Sequence, residues 1–139
     1  MPIEVLKDAL FSIGGVDLSG HVESITVNYL AEEKDAPVMG DDGMRRLSGL
    51  FDWSMAVSFR QDFDAAEVES TLFPLVGTEF AVKARKSKTD AIGATNPEYQ
   101  GNGRFSGDVP VIAGTVGEVH NVSVTIVGSD GVKLIRAVV

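Results

Sequence analysis

A mainly-β fold with one short helix is predicted by three features of the sequence. Apolar and polar residues alternate with period two over several stretches, a reciprocal capping pattern marks one helix-like segment, and turn dipeptides punctuate the remainder. The strongest alternation spans residues 51–59: Phe51, Trp53, Met55, Val57 and Phe59 share one strand face, and Asp52, Ser54, Ala56 and Ser58 share the other. Residues 22–30 read as a second strand, with Glu23, Ile25, Val27 and Tyr29 opposite Val22, Ser24, Thr26 and Asn28. In a third, Val122, Val124 and Ile126 alternate with Asn121, Ser123 and Thr125. There Asp130-Gly131 suits a tight hairpin turn, with residues 132–139 returning as the partner strand. Shorter strands are expected at 10–13, 79–85 and 104–112.

The helix is expected over about residues 64–76, starting near Ala65. Asp64 and Glu67 have the spacing of a capping box, Phe63 and Val68 that of a hydrophobic staple, and Val68, Leu72 and Leu75 lie at helical spacing. Gly77 is placed to follow the C-terminus, and Pro74 makes the last turn irregular. Residues 31–49 stand apart. They lack sustained alternation, carry Glu32, Glu33, Asp35, Asp41 and Asp42, and include Pro37, Gly40 and Gly43. They read as a long loop between the two best strands, and a loop of that length is usually functional or disordered. A second turn-rich stretch, 87–103, holds Asn96-Pro97 and Asn102-Gly103. There is no internal repeat.

Length and charge narrow the function. A chain of 139 residues fits a single domain, 1–139. Twenty acids against twelve bases give a formal charge of −8, a field that repels nucleic acid and anionic lipid. The absence of cysteine removes disulfides, thiolate metal sites and cysteine nucleophiles together. No basic n-region precedes an apolar core at the start, and no apolar run approaches a membrane span, so the expectation is a soluble protein made in a cytoplasm.

Each candidate site has a plainer reading. His21 and His120, the two imidazoles, lack a Ser-His-acid or His-rich metal spacing and read as ordinary strand-end histidines. Asp35, Asp41 and Asp42 do not have the spacing of an EF-hand calcium loop. Gly14-Gly15 and Gly101-Asn102-Gly103 read as turns, since neither joins a strand to a helix as a phosphate-binding loop does. Lys83, Arg85, Lys86 and Lys88 form the basic cluster. No aromatics interleave with it, so it suits ion pairs to an acidic neighbour better than nucleic acid. No catalytic, metal or cofactor site is therefore expected, and the chain reads as a non-enzyme.

The order of elements resembles that of siphophage major tail proteins. It is carried by the opening FSIGGVDLS at 11–19, the strand VESITVN at 22–28, a long loop, and the aromatic strand 51–59. A short capped helix ending LFPLVG at 72–77, NPEY at 96–99, VPV at 109–111 and GEVHNVSVT at 117–125 complete it. The resemblance implies a β-sandwich or partly closed β-barrel with one flanking helix, a fold shared with contractile-tail and type VI secretion inner tubes. It also implies a virion protein whose hexameric rings stack into a tail tube around a tape-measure protein, with double-stranded DNA passing through unbound. On that view Glu23, Asp52, Ser54 and Ser58 are candidates to line the channel, although Glu23 falls on the Ile25 side of its strand. The loop residues Glu32, Glu33, Asp35, Asp41, Asp42, Arg45 and Arg46 would meet a neighbouring ring or the Lys83, Arg85, Lys86 and Lys88 patch of another subunit, ordering on assembly. The alternatives are another tail component on the same fold (terminator, distal-tail protein or contractile inner tube) and a β-sandwich carbohydrate-binding module. The last has few exposed aromatics to work with, namely Tyr29 and Tyr99.

Overall fold

The computed structural model describes residues 4–64 and 67–139. Residues 1–3, and Ala65, at which the sequence pattern starts the helix, lie outside the described residues. The elements run β1 (Leu10–Ile13), β2 (Val16–Asp17), a 3-10 turn (Ser19–His21), β3 (Val22–Asp35), β4 (Arg46–Arg60), α1 (Val68–Leu75), β5 (Phe80–Arg85), β6 (Glu98–Phe105), β7 (Asn121–Gly128) and β8 (Ile135–Ala137). The strands pair antiparallel in one sheet of order β2-β1-β5-β6-β7-β4-β3, with β8 against β6. The fold is mainly β, as expected.

The sheet curls so that one face packs on itself without closing. Phe11 of β1 and Phe59 of β4, four places apart in the strand order, bring their rings to 5.6 Å. Between them lies the alternation read from the sequence: Trp53, Met55, Val57 and Phe59 from β4, and Val122, Val124 and Ile126 from β7. Phe80, Val82 and Ala84 of β5 complete the sheet's share, and α1 adds Val68 and Leu72. Each of the larger of these, the Val, Leu, Ile, Met and Phe side chains, contributes about 1.5–3 kcal/mol by leaving water. Phe51 extends the same face past the core's end and stays exposed, stacked on Tyr29 at 5.7 Å.

Four expectations are corrected. First, the loop is shorter than 31–49: β3 and β4 pair from Val22↔Phe59 to Asp35↔Arg46, so 31–35 and 46–49 are strand and 36–45 lie between them. Apolar alternation vanishes there because the ladder has left the core and both faces meet water. Second, residues after Asp130-Gly131 do not return along β7, whose two edges are already taken by β4 and β6; β8 crosses to β6 instead. Third, the expected strand at 104–112 is β6 at Glu98–Phe105, where the two middle inward positions are Gly101 and Gly103, flanked by Tyr99 and Phe105 against the core. Fourth, the cap lies three residues later than the pattern suggests. The Glu67 amide donates to Ser70 Oγ at 3.1 Å, and Phe63 lies against the His120 ring rather than serving as a visible staple. Gly77, at φ 84°, follows the helix as expected.

Those glycines make room for one side chain. A Cβ at Gly101 would stand 2.5 Å from Trp53 Cζ2, and one at Gly128 2.5 Å from Trp53 Nε1. A Cβ at Gly103 would stand 2.4 Å from the Val127 carbonyl oxygen. The indole thus lies on a bed of bare backbone, 2% exposed, with Nε1 lacking a hydrogen-bond partner.

A second internal lock joins β5 to β6. Arg85 Nη1 donates to Glu98 Oε2 at 2.9 Å, and its remaining nitrogens donate to the carbonyls of Ser87 (2.8 Å) and Lys88 (3.0 Å). Glu98 is 5% exposed and also accepts from Gln100 at 2.8 Å. Breaking such a pair from one side leaves a buried charge. Arg85→Ala is therefore expected to cost about 3–5 kcal/mol in urea unfolding, and Glu98→Gln in that background to recover part of it. A loss under ~1 kcal/mol would contradict this account.

Candidate assembly surface

The sheet ends in a long open edge. β3, a 14-residue element, has no strand on its outer side among the described residues, and residues 6–9 lie near its start at Val22 to Ile25. An unpaired edge of that length is a template for pairing with another chain. At its far end the β3–β4 hairpin projects beyond the core. Glu33 and Arg46 pair across it at 2.6 Å, with Asp35 at 3.8 Å from the same guanidinium and Lys34 paired to Glu32. Asp41 closes the tip, accepting from the Val38 amide and from Arg45 Nη2, each at 2.9 Å. Met39 is fully exposed beside Asp42.

One broad face of the sheet is made of small polar residues. Ser24, Thr26 and Asn28 on β3 stand opposite Ser58, Ala56 and Ser54 on β4, which in turn stand opposite Ser123, Thr125 and Val127 on β7. Ser58 and Ser123 hydrogen-bond at 2.6 Å. Glu23 joins this face, correcting its expected place beside Ile25. A register shift between Val22 and Ser24 inserts one extra residue in β3, which reverses the alternation, and Glu23 meets Arg60 at 3.3 Å. Asp52 is exposed at the end of the face, its carboxylate accepting from the Trp53 amide at 2.8 Å.

The basic cluster is less free than its sequence suggests. Arg85 is the buried lock described above. Lys88 pairs with Asp17 at 2.9 Å and Lys86 with Glu4. Lys83, exposed on β5, is the member without an ion pair among the described residues. Asp17 is partly buried, which pushes its pKa up, but hydrogen bonds from Ser19 and the charge of Lys88 outweigh this and hold it below the usual value. Where the hairpin leaves the core, Leu30, Leu47 and Leu50 are exposed, and Lys133 Nζ sits 4.1 Å above the Phe51 ring.

The structure also gathers residues that sequence spacing kept apart. His21 Nε2 lies 3.0 Å from Asp62 Oδ2 and 3.2 Å from Glu67 Oε2. The Asp64 amide and then His21 hydrogen-bond Asp62, holding its carboxyl below the ordinary range. The three residues come from the 3-10 turn, the chain after β4 and the start of α1, and no motif links them. His120 sits elsewhere, its Nε2 accepting from the Ala113 amide at 2.8 Å.

No family model and no curated protein matches the chain. Solved structures do. One is a chain in the tail of an empty gene transfer agent particle, computed with helical refinement and C6 symmetry. It superposes with a TM-score of 0.69 over 97% of this chain and 99% of its own, at 13% identity. A chain of the native gene transfer agent virion gives 0.69 over 96% and 99%, at 14% identity. This chain has their fold. The match runs over nearly the full length of both chains. No helix among the described residues is long and apolar enough to cross a membrane.

Proposed function

We propose that this chain is a structural subunit of a phage-type tail tube. Copies assemble into hexameric rings that stack around a channel, and double-stranded DNA passes through it without specific binding. The observation that carries the reading is the end-to-end likeness to a chain from the tail of a gene transfer agent particle and to a chain of the native virion. The bare β3 edge supports it, because pairing with a neighbour's sheet removes the exposed backbone groups. The face bearing Ser24, Ser54, Ser58, Ser123 and Asp52 suits a water-filled lumen, and a formal charge of −8 keeps phosphates from sticking to it. Glu23, now on that face, belongs to the same lining. The projecting hairpin, with Glu32, Glu33, Asp35, Asp41, Asp42, Arg45 and Arg46, reaches the next ring, and Lys83, the member of the basic cluster without an ion pair among the described residues, is left to receive it. The role is architectural, without catalysis or cofactor, in a virion tail alongside a tape-measure protein.

Negative-stain microscopy of concentrated protein is expected to show long hollow filaments of uniform width. Single closed rings would favour a terminator or distal-tail role, and a strictly monomeric protein would refute the reading. Amide exchange adds a second expectation. Beyond Ala31↔Phe51 the hairpin is two-stranded and solvated on both faces, a marginal structure by itself. Its amides should exchange rapidly in the monomer and slow by at least about tenfold in filaments, while those of β4 and β7 change little.

A further inference from the structure

We propose that His21, Asp62 and Glu67 form a binding site for one divalent transition-metal ion, Zn²⁺ in the first instance. The ligand-bearing atoms all lie within 4.8 Å of one another. The two distances from His21 Nε2, 3.0 and 3.2 Å, are close to the ~3.3 Å edge between ligands of a tetrahedral zinc with bonds near 2.0–2.1 Å. Hydrogen bonding explains the arrangement less well. Nε2 carries at most one proton, which points at one acceptor, yet two carboxylate oxygens converge on it. A dication bonds all three groups at once and removes the repulsion between the two carboxylates. One imidazole nitrogen with two carboxylate oxygens suits zinc or its transition-metal neighbours rather than calcium, which takes six to eight oxygens. Partial exposure of all three side chains leaves the fourth position to water.

Such an ion would tie three segments. His21 ends the 3-10 turn before β3, Asp62 follows β4, and Glu67 is the residue at which α1 begins. The metal would fasten the start of the helix to the base of the β3–β4 hairpin, which makes it a structural clamp independent of any tube.

Calorimetric titration of the full chain with ZnCl₂ tests this, with CoCl₂ as a spectroscopic probe and CaCl₂ as a control. One Zn²⁺ per chain is expected, with Co²⁺ giving the visible absorption of a four-coordinate site. At a hundredfold excess over Kd the melting temperature should rise by about 5–10 °C. His21→Ala, Asp62→Asn and Glu67→Gln should each weaken binding at least about tenfold, while Asp52→Asn leaves it unchanged. If His21→Ala does not fold, the two isosteric carboxylate variants carry the test. No binding, binding that all three variants leave intact, or Ca²⁺ binding as tightly as Zn²⁺ would overturn the assignment.

Discussion

Deleting residues 37–43 is expected to leave a folded monomer that no longer forms filaments. The segment lies beyond the last ladder pair, Asp35↔Arg46, and contributes nothing to the core, so thermal melting followed by circular dichroism should move by no more than a few degrees. Assembly should respond very differently. Met39 and Asp42 at the tip are exposed in the monomer, and on the proposed function they stand where one ring reaches another. Each 1.4 kcal/mol lost from an interface is about tenfold in affinity, so removing a whole contact should raise the concentration for filament growth by about a hundredfold or more. Light scattering with electron microscopy reads this directly. Normal filaments from the deleted chain would remove the hairpin tip from the assembly contact.

Replacing Gly101 by alanine is expected to cost several times more than a usual surface substitution, and the cost should vanish when Trp53 is made smaller. The added Cβ would enter the space of the indole, 2.5 Å from Cζ2 and 2.8 Å from Cε2, in a sheet whose backbone has little room to yield. Overpacking of this kind costs about 1–3 kcal/mol. Trp53→Leu by itself should cost about 3 kcal/mol by leaving a cavity. The two should not add: with the indole gone, the methyl at position 101 fills part of the vacated space. A urea-unfolding cycle on the single and double variants should return a coupling of about 1–3 kcal/mol. Additive costs would show that the close approach is not what requires glycine there.

These two regions also explain what the sequence made legible. Strands β4 and β7 were readable because each has one face in a single core and one face in water, so period two is written into residues 51–59 and 121–126. The hairpin beyond Leu30 was not, because a ladder wetted on both sides places no demand on alternation; its stability comes from cross-strand pairs such as Glu33 with Arg46. β6 was misplaced for a different reason, since at its middle inward positions, Gly101 and Gly103, the space is taken by an indole from another strand, which interrupts the apolar alternation between Tyr99 and Phe105. The small polar residues of the outer face could be named from alternation, yet placing Glu23 among them required the bulge, an event of hydrogen-bond register that residue types do not announce. The His21 cluster was invisible because its members, 41 and 5 positions apart along the chain, meet only through the curl of the sheet and the placement of α1.

The glycine bed under Trp53 has a spectroscopic consequence. This is the only tryptophan in the chain, its ring is enclosed by backbone and apolar side chains, and its N–H has no acceptor. Its emission should therefore lie at the blue end of the indole range and shift red only when β4, β6 and β7 come apart. Tyr29, by contrast, sits half-exposed at the root of the hairpin. With Tyr99 replaced by phenylalanine, the chain would carry two separate optical reporters, Trp53 for whether a subunit is folded and Tyr29 for the surroundings where the hairpin leaves the core.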